Sequence, residues 1–443
     1  MTSPKDFTVA VVGGGIVGLT CAIALARAGV DVDVFEAASK YGDVGAGIGL
    51  GANALRVLKD VDILDDIMAR SESLQAFQNS VKFVRGTEPH DTIYEHPNED
   101  NMEGLAFHRA AFLAILASIL PSNVRSHFNK RCITVSEARN GRVQLSFADN
   151  SVHEVDLVIG ADGIKSAVRT QVFGAKDDRL VNTGTSAYRA LIPTQRLKGA
   201  GVKDELLQSE PRCYLGQEKH IIALSIMGGS VLNLVAFTTD FAHAMIPAGP
   251  QASWPAWVAP ATQEEVLADF EDFGPDVRHM LESTEDVNKW SIHGLYPPLE
   301  CHVSAAKADG ESKVEGSLDK CNVVLVGDSA HAMLPHMGAG ASVGIEGAYV
   351  LKSLLLHPQT QRTNLSDVLR AYSTVRVPRA HFVATSSKHV GDVYEGHGPS
   401  GPSDAQRRRD LERRWDAVWG YDAQAEVARA VEILEESGVF QRN

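Results

Sequence analysis

Apolar and polar positions follow two different periods along the chain, and the switch between them divides it. Residues 7–26 form an uncharged, mostly apolar run long enough to resemble a membrane span. Gly13, Gly14, Gly15 and Gly18 cut that run after a β-branched stretch. The pattern therefore predicts a buried strand over 7–12, a helix over 16–28 stopped by Gly29, and a second strand over 30–35, which is one βαβ unit. A glycine-rich run at 45–51 leads to Asn53, the expected N-cap of a helix over 54–64. Apolar strands at 155–159 and 322–326 each end in a Gly and Asp turn that opens a helix.

Between 182 and 296 the texture changes to short alternating runs, at 185–192, 212–215, 220–226 and 231–238, with a hairpin turn at 227–230. This reads as an antiparallel sheet inserted into the first domain. Residues 305–320 are polar and read as a surface loop. A Gly and Pro-rich stretch at 396–403 precedes charge-laced helical sequence over 404–436. The expected class is α/β, with a Rossmann-type dinucleotide-binding domain at 1–180 and 301–360, the inserted antiparallel sheet domain at 181–300, and a helical C-terminal region at 361–443.

Composition narrows the function. Lys and Arg number 42 against 56 Asp and Glu, a net charge of −14 over 443 residues. That balance disfavours a nucleic acid or an anionic membrane as partner, because both call for a basic patch, and favours a small molecule. Cys21, Cys132, Cys213, Cys301 and Cys321 contain no CxxC pair, so they fit neither a disulfide framework nor a metal site. They read as free thiols in a reducing, cytoplasmic compartment, and the N-terminal run lacks the flanks of a signal peptide.

Gly13, Gly15 and Gly18 satisfy GxGxxG in the required context, after a strand and opening a helix, with Glu36 ending the next strand. Gly13 permits the tight turn, Gly15 lets backbone N–H groups approach a pyrophosphate, Gly18 allows close helix packing, and Glu36 can hold a ribose diol. NAD and FAD share this fingerprint. Two later segments choose between them: residues 155–163, VDLVIGADG, followed by Ser166 and Arg169, and residues 326–331, VGDSAH, followed by Pro335. They resemble the DG and GD motifs of the class A flavoprotein monooxygenases, the FAD-dependent aromatic hydroxylases. His108-Arg109, opening a helix over 110–120, is similar to that family's flavin-contacting arginine. Residues 335–341, PHMGAGA, and 419–422, WGYD, resemble the salicylate hydroxylase branch, particularly its fungal-type members. Three positions depart from the family pattern: Ala332 replaces a proline, Gly347 stands where the second acid of a pair is expected after Glu346, and Leu224-Ser225 replaces Tyr-Pro.

The resemblance implies FAD as resident cofactor, NADH or NADPH as transient co-substrate, and a phenolic substrate hydroxylated with O2, salicylate going to catechol and CO2. It assigns Arg109, Asp162 and Gly163 to cofactor contacts. Asp328 suits the hydroxyls of a ribityl chain. Gly338 and Gly340 would bring backbone N–H groups to the flavin's pyrimidine edge, and a helix from Ala341 would point its positive end there. Arg189, beside Tyr188, could pair with a carboxylate or phenolate; His336, next to Pro335, would face the flavin. These four form the candidate catalytic set. His220 and Arg85 are weaker candidates, each of which also reads as an ordinary structural residue. Two rival functions remain: hydroxylation or dearomatisation of another phenol without decarboxylation, and a flavin-fold binding protein without turnover.

Overall fold

The glycine-cut run folds as its pattern predicts. Strand Val9–Val12 is wholly buried, and helix Ile16–Arg27 follows, ended by Gly29 in a left-handed conformation at φ 90°. The computed structural model describes residues 5–42, 47–70, 75–78, 81–97, 103–174, 179–207, 210–247, 256–304 and 322–442. Among them a parallel sheet of five strands runs in the order Val323–Leu325, Leu157–Gly160, Val9–Val12, Val32–Phe35, Val124–His127. Its neighbours approach closely because glycines leave room. A Cβ on Gly18 would lie 2.1 Å from the Gly13 carbonyl oxygen, and one on Gly344 would lie 2.4 Å from Val17 Cγ2. Helix Ile16–Arg27 can thus pack directly on helix Gly340–Leu356.

The middle region forms the second large sheet, nine strands among the described residues. Its longest strand is Leu180–Pro193, which pairs with Val231–Thr239 on one side and Asn288–Leu295 on the other. Met227 to Ser230 make the expected turn between Lys219–Ile226 and Val231–Thr239. Alternation gives the sheet two faces. Tyr188, Ile221 and Leu234 turn to one face and pack under helices Gln263–Asp269 and Pro275–Glu282. Ala187, Phe237 and Ile292 turn to the other. The sheet is not contiguous in sequence: Lys82–Arg85 pairs in parallel with Arg212–Leu215, so strands from within 1–180 complete it.

Several local expectations need correction. Gly51, not Asn53, caps helix Ala52–Asp60, and a separate helix Leu64–Arg70 follows where one helix over 54–64 was expected. The second strand is Val32–Phe35, shorter than 30–35. The region 404–436 holds helices Asp404–Leu411, Asp416–Trp419 and Ala423–Glu436. Before them runs the 30-residue helix Leu365–Tyr394, which the sequence reading placed only within a helical region. The 305–320 loop, Cys321 and Gly45 lie outside the described residues. Cys21, Cys132, Cys213 and Cys301 are free thiols. Among the described residues no helix is long and apolar enough to cross a membrane.

A buried ionic knot joins the C-terminal helices to the rest. Glu346 receives both Arg379 Nη2 at 2.8 Å and Asn53 Nδ2 at 2.6 Å on Oε1, and Arg379 Nε at 3.0 Å on Oε2. Arg376 donates to Glu426 at 2.6 Å and lies 3.4 Å from Glu346. Arg379 also donates to the Ala417 and Val418 carbonyls and sits 3.7 Å over the Tyr421 ring. At Gly347, the departure from the family pattern, a Cβ would lie 3.0 Å from the Tyr372 hydroxyl. Glu426 supplies the second carboxylate from another helix. Removing one partner of such a pair leaves a buried charge, a loss of about 3–5 kcal/mol. Arg376→Met is therefore expected to lower unfolding free energy by about that much in urea titration. A loss under about 1 kcal/mol would show that Glu426 needs no cation.

Candidate active site

The carboxyl ends of the parallel strands open a cleft of about 360 Å³ lined by Gly13, Gly14, Gly15, Glu36, Arg109, Asp162 and Gly163. Gly13 takes φ 105°, and a Cβ there would stand 2.3 Å from the Ala161 carbonyl oxygen, so only glycine fits this turn. Gly15 caps helix Ile16–Arg27, and no atom lies within 4 Å of where its Cβ would be. Helix N–H groups thus meet open space, as an anion requires. Glu36 accepts from the Gly14 N–H at 2.7 Å and the Ala38 N–H at 2.8 Å. Lys40, Lys130, Arg131 and Lys165 complete a cationic rim suited to a pyrophosphate. Asp162 lines the cleft too, but its carboxylate accepts from Ser166 Oγ and from the Ala167 and Val168 N–H groups. That capping of helix Ala167–Phe173 is its main bonding, with the backbone beside Gly163 left to face the cleft.

Asp328 opens the short helix Asp328–His331. Its side chain is accessible although protein surrounds it closely, so it borders an opening in the fold. Burial pushes its carboxyl up even though Arg109 and Arg169 face it. A carboxylate so placed suits a chain of hydroxyl donors. Gly338, at φ 63°, faces open space, and a Cβ on Gly340 would lie 4.0 Å from Asp328 Oδ1. The Pro335 carbonyl accepts from the Gly338 N–H at 2.8 Å and fixes this turn, so Pro335 shapes the loop. The following helix starts at Gly340, one residue before the expected Ala341, and its positive end lies beside Asp328. These residues fit FAD: glycine turn for the pyrophosphate, acid for the ribose, Asp328 for the ribityl chain.

Beyond that loop stands the front face of the large sheet. Arg189 lies on it, stacked 5.1 Å from the Trp290 ring centroid, with its Nε buried and without a hydrogen-bond partner. Burial, and then the charge of Arg109, lower its pKa. Tyr188, the adjacent residue, points to the opposite face. Its hydroxyl donates to Glu265 at 2.9 Å and Asp269 at 2.6 Å, which corrects its assignment to the catalytic set. The physical reason is the strand's period of two. Arg85 is likewise corrected: it pairs with Asp404 and Asp91 on a strand four places along the sheet from that of Arg189.

His336 packs between the sheet and the long helix, its ring 5.5 Å from Phe237, 5.2 Å from His220 and 6.2 Å from Tyr394. Burial lowers its pKa to about 3, so the ring is neutral. The helix Leu365–Tyr394 holds the loop through Ser387, which donates to the Leu334 carbonyl and accepts from the Met337 N–H. His220 bonds Glu395, a residue that carried no sequence signal because an acid at a helix end is ordinary. Phe237 was legible only as an alternating sheet position, and Trp290 only as a residue of the inserted sheet region.

The geometry predicts that Asp328→Ala lowers flavin content at least fivefold while leaving the unfolding midpoint near that of the wild type, because a cleft-wall carboxylate is lost and no packing is removed. The flavin-to-protein absorbance ratio checks it. Full occupancy would remove Asp328 from the cofactor site.

Comparison with known proteins agrees with this geometry. The FAD binding domain family matches residues 6–179 and 291–387, and the unmatched interval spans most of the large sheet. A salicylate hydroxylase of Pseudomonas putida is 34% identical over 439 residues, covering 95% of this chain and 94% of that protein. A 6-methylsalicylate 1-monooxygenase of Aspergillus terreus is 28% identical over 453 residues, covering 98% of this chain and 94% of that protein. Among solved structures, a salicylate hydroxylase substrate complex superposes with a TM-score of 0.78 at 31% identity, covering 97% of this chain and 98% of that one. The chain belongs to the FAD-dependent aromatic monooxygenases of the salicylate hydroxylase family, the class A flavoprotein hydroxylases.

Proposed function

We infer that the chain hydroxylates salicylate or a close carboxylated phenol, consuming NADH and O2 and releasing catechol and CO2. The observation that carries this reading is Arg189. Among the described residues no carboxylate pairs with this largely enclosed guanidinium, and the charge that bears on it is that of another arginine, Arg109. An enclosed cation beside Arg109 calls for an anionic ligand. The apolar wall around it, Ala187, Val235, Phe237, Trp290 and Ile292, is suited to an aromatic ring. The salicylate hydroxylases among its relatives support the same ligand.

When bound, FAD supplies the oxygen chemistry, and NADH the electrons. The protein's part is positioning. Arg189 holds the anionic ring by a charge-assisted hydrogen bond. Phe237, Val235 and Ile292 exclude water from the ring. His336, neutral and fixed on the flavin-side loop, accepts the ring hydroxyl's proton and raises the electron density of the ring. A ring held by Arg189 at one end and His336 at the other presents a single carbon to the flavin, which orients the attack.

Salicylate should stimulate NADH oxidation, with catechol and CO2 formed in equal amounts. Conversion of another phenol with all ring substituents retained, and no catechol from salicylate, would favour hydroxylation without decarboxylation. A flavin-loaded protein that oxidises no NADH with any phenol would favour a binding protein.

Arg189→Ala should weaken salicylate binding about tenfold to a hundredfold, the loss of about 1.5–3 kcal/mol from a charge-assisted bond, with flavin retained. His336→Ala should lower the ratio of catechol to NADH consumed and raise hydrogen peroxide. Unchanged affinity in the first variant and unchanged coupling in the second would remove both residues from the reaction.

A further inference from the structure

Glu395 ends the long helix Leu365–Tyr394 as its C-cap, and its carboxylate is folded inward with 1% of the residue exposed. Its Oε1 lies 2.8 Å from Nδ1 of His220, which is fully buried. Thr239 faces the carboxylate and favours its charged form, and the Glu395 backbone carbonyl accepts from the Glu218 N–H at 3.0 Å, tying the helix end to the sheet. Gly391, one helical turn earlier on the same face, leaves room for His336: a Cβ there would stand 2.4 Å from the His336 ring. One helix therefore seats both the carboxylate and the loop imidazole.

The two imidazoles are adjacent and incomplete. His220 stacks on Phe237 at 4.5 Å and 9°, and its Nε2, opposite the Glu395 bond, is buried with no partner. His336, 5.2 Å away between ring centroids, has a buried Nδ1 with no partner. Buried polar atoms in folded proteins are nearly always bonded, so two orphaned nitrogens on neighbouring rings mark a chain that closes when the site is filled. At 5.2 Å between centroids, the rings are near enough for one hydrogen bond to join them.

We propose that Glu395, His220 and His336 form a proton relay that takes the ring hydroxyl's proton away from the phenolic substrate. This rests on the reading of the site as a phenol pocket. The phenol gives its proton to Nε2 of His336. The proton on Nδ1 of His336 passes to Nε2 of His220, and that on Nδ1 of His220 passes to the Glu395 carboxylate. The phenol becomes a phenolate, Glu395 becomes a carboxylic acid, and each imidazole ends neutral in its other tautomer. No electron or further reactant is needed. His336 touches substrate; His220 and Glu395 act through it.

The direction with pH follows from the carboxyl. Burial pushes Glu395 up to about 7, and burial holds His220 and His336 near 3. The groups facing the relay are Asp392 and Lys388 on its own helix, His397 just beyond it, Tyr394, and Cys213 on the sheet. Glu395 has a raised folded pKa, so the acceptor is lost as pH falls below about 7 and present above it.

The test uses the flavin-loaded protein without NADH and 5-nitrosalicylate, whose ring hydroxyl is un-ionised in neutral water and whose phenolate absorbs at longer wavelength. Bound to the wild type, the ligand should show the phenolate band, growing through about pH 7. Glu395→Gln should cut that band at least fivefold at pH 8 while affinity, read from the flavin spectrum, changes less than threefold; Glu395→Asp should restore part of it. A band equal in Glu395→Gln, or independent of pH from 5.5 to 8.5 in the wild type, overturns the relay alone. The wild-type titration decides even where Glu395→Gln does not fold. Failure of both salicylate and 5-nitrosalicylate to bind overturns the phenol reading, and the relay with it.

Discussion

Two arginines and two glutamates buried together fix the placement of everything that meets at the site. Arg376 and Arg379 stand on the long helix, Glu346 on the helix that opens at the flavin loop, and Glu426 on the C-terminal helix. Charges taken from water are stable only when their partners are held at bonding distance, so the knot admits little sliding of one helix on another. It sets the register of helix Leu365–Tyr394 against helix Gly340–Leu356. That register places Ser387 under Leu334 and Met337, Gly391 under His336, and Glu395 beside His220. The chemistry is thus positioned by ion pairs remote from it.

The site itself is built from opposite uses of burial. The nucleotide cleft exposes backbone and a cationic rim to a charged cofactor. The substrate wall does the reverse. Its sheet face is apolar, its histidines are kept neutral, and its cation, Arg189, lacks a carboxylate partner among the described residues. An enclosed apolar wall strengthens each remaining electrostatic contact. Under the proposed reading, that cation would select an anionic ring and the buried imidazoles would take its proton.

Much of the cofactor half was legible because its residues do their work locally. Gly13 must turn, Gly15 must clear a helix end and Gly18 must pack closely, and each requirement leaves a glycine at a fixed spacing. The motif at 326–331 likewise announces Asp328. The substrate half was less legible. Arg189 and Tyr188 are neighbours in sequence and were grouped together, yet the pleat sends them to opposite faces. Asn53 reads as an N-cap by its type, but its amide is taken by Glu346, 293 positions away.

The sequence by itself determined the class of the fold, the βαβ unit, the inserted alternating sheet and a dinucleotide site, because these follow from periodicity and from backbone conformations only certain residues adopt; the choice of FAD came from the resemblance carried by residues 155–163 and 326–331. The tertiary structure alone decided which sheet face meets the flavin loop, that strands before residue 181 complete that sheet, that Glu426 joins Glu346 around Arg376, and that Glu395 reaches His220. Those outcomes depend on side chains from distant segments sharing a low-dielectric interior, and a pairing between residues 175 positions apart leaves no local pattern to read.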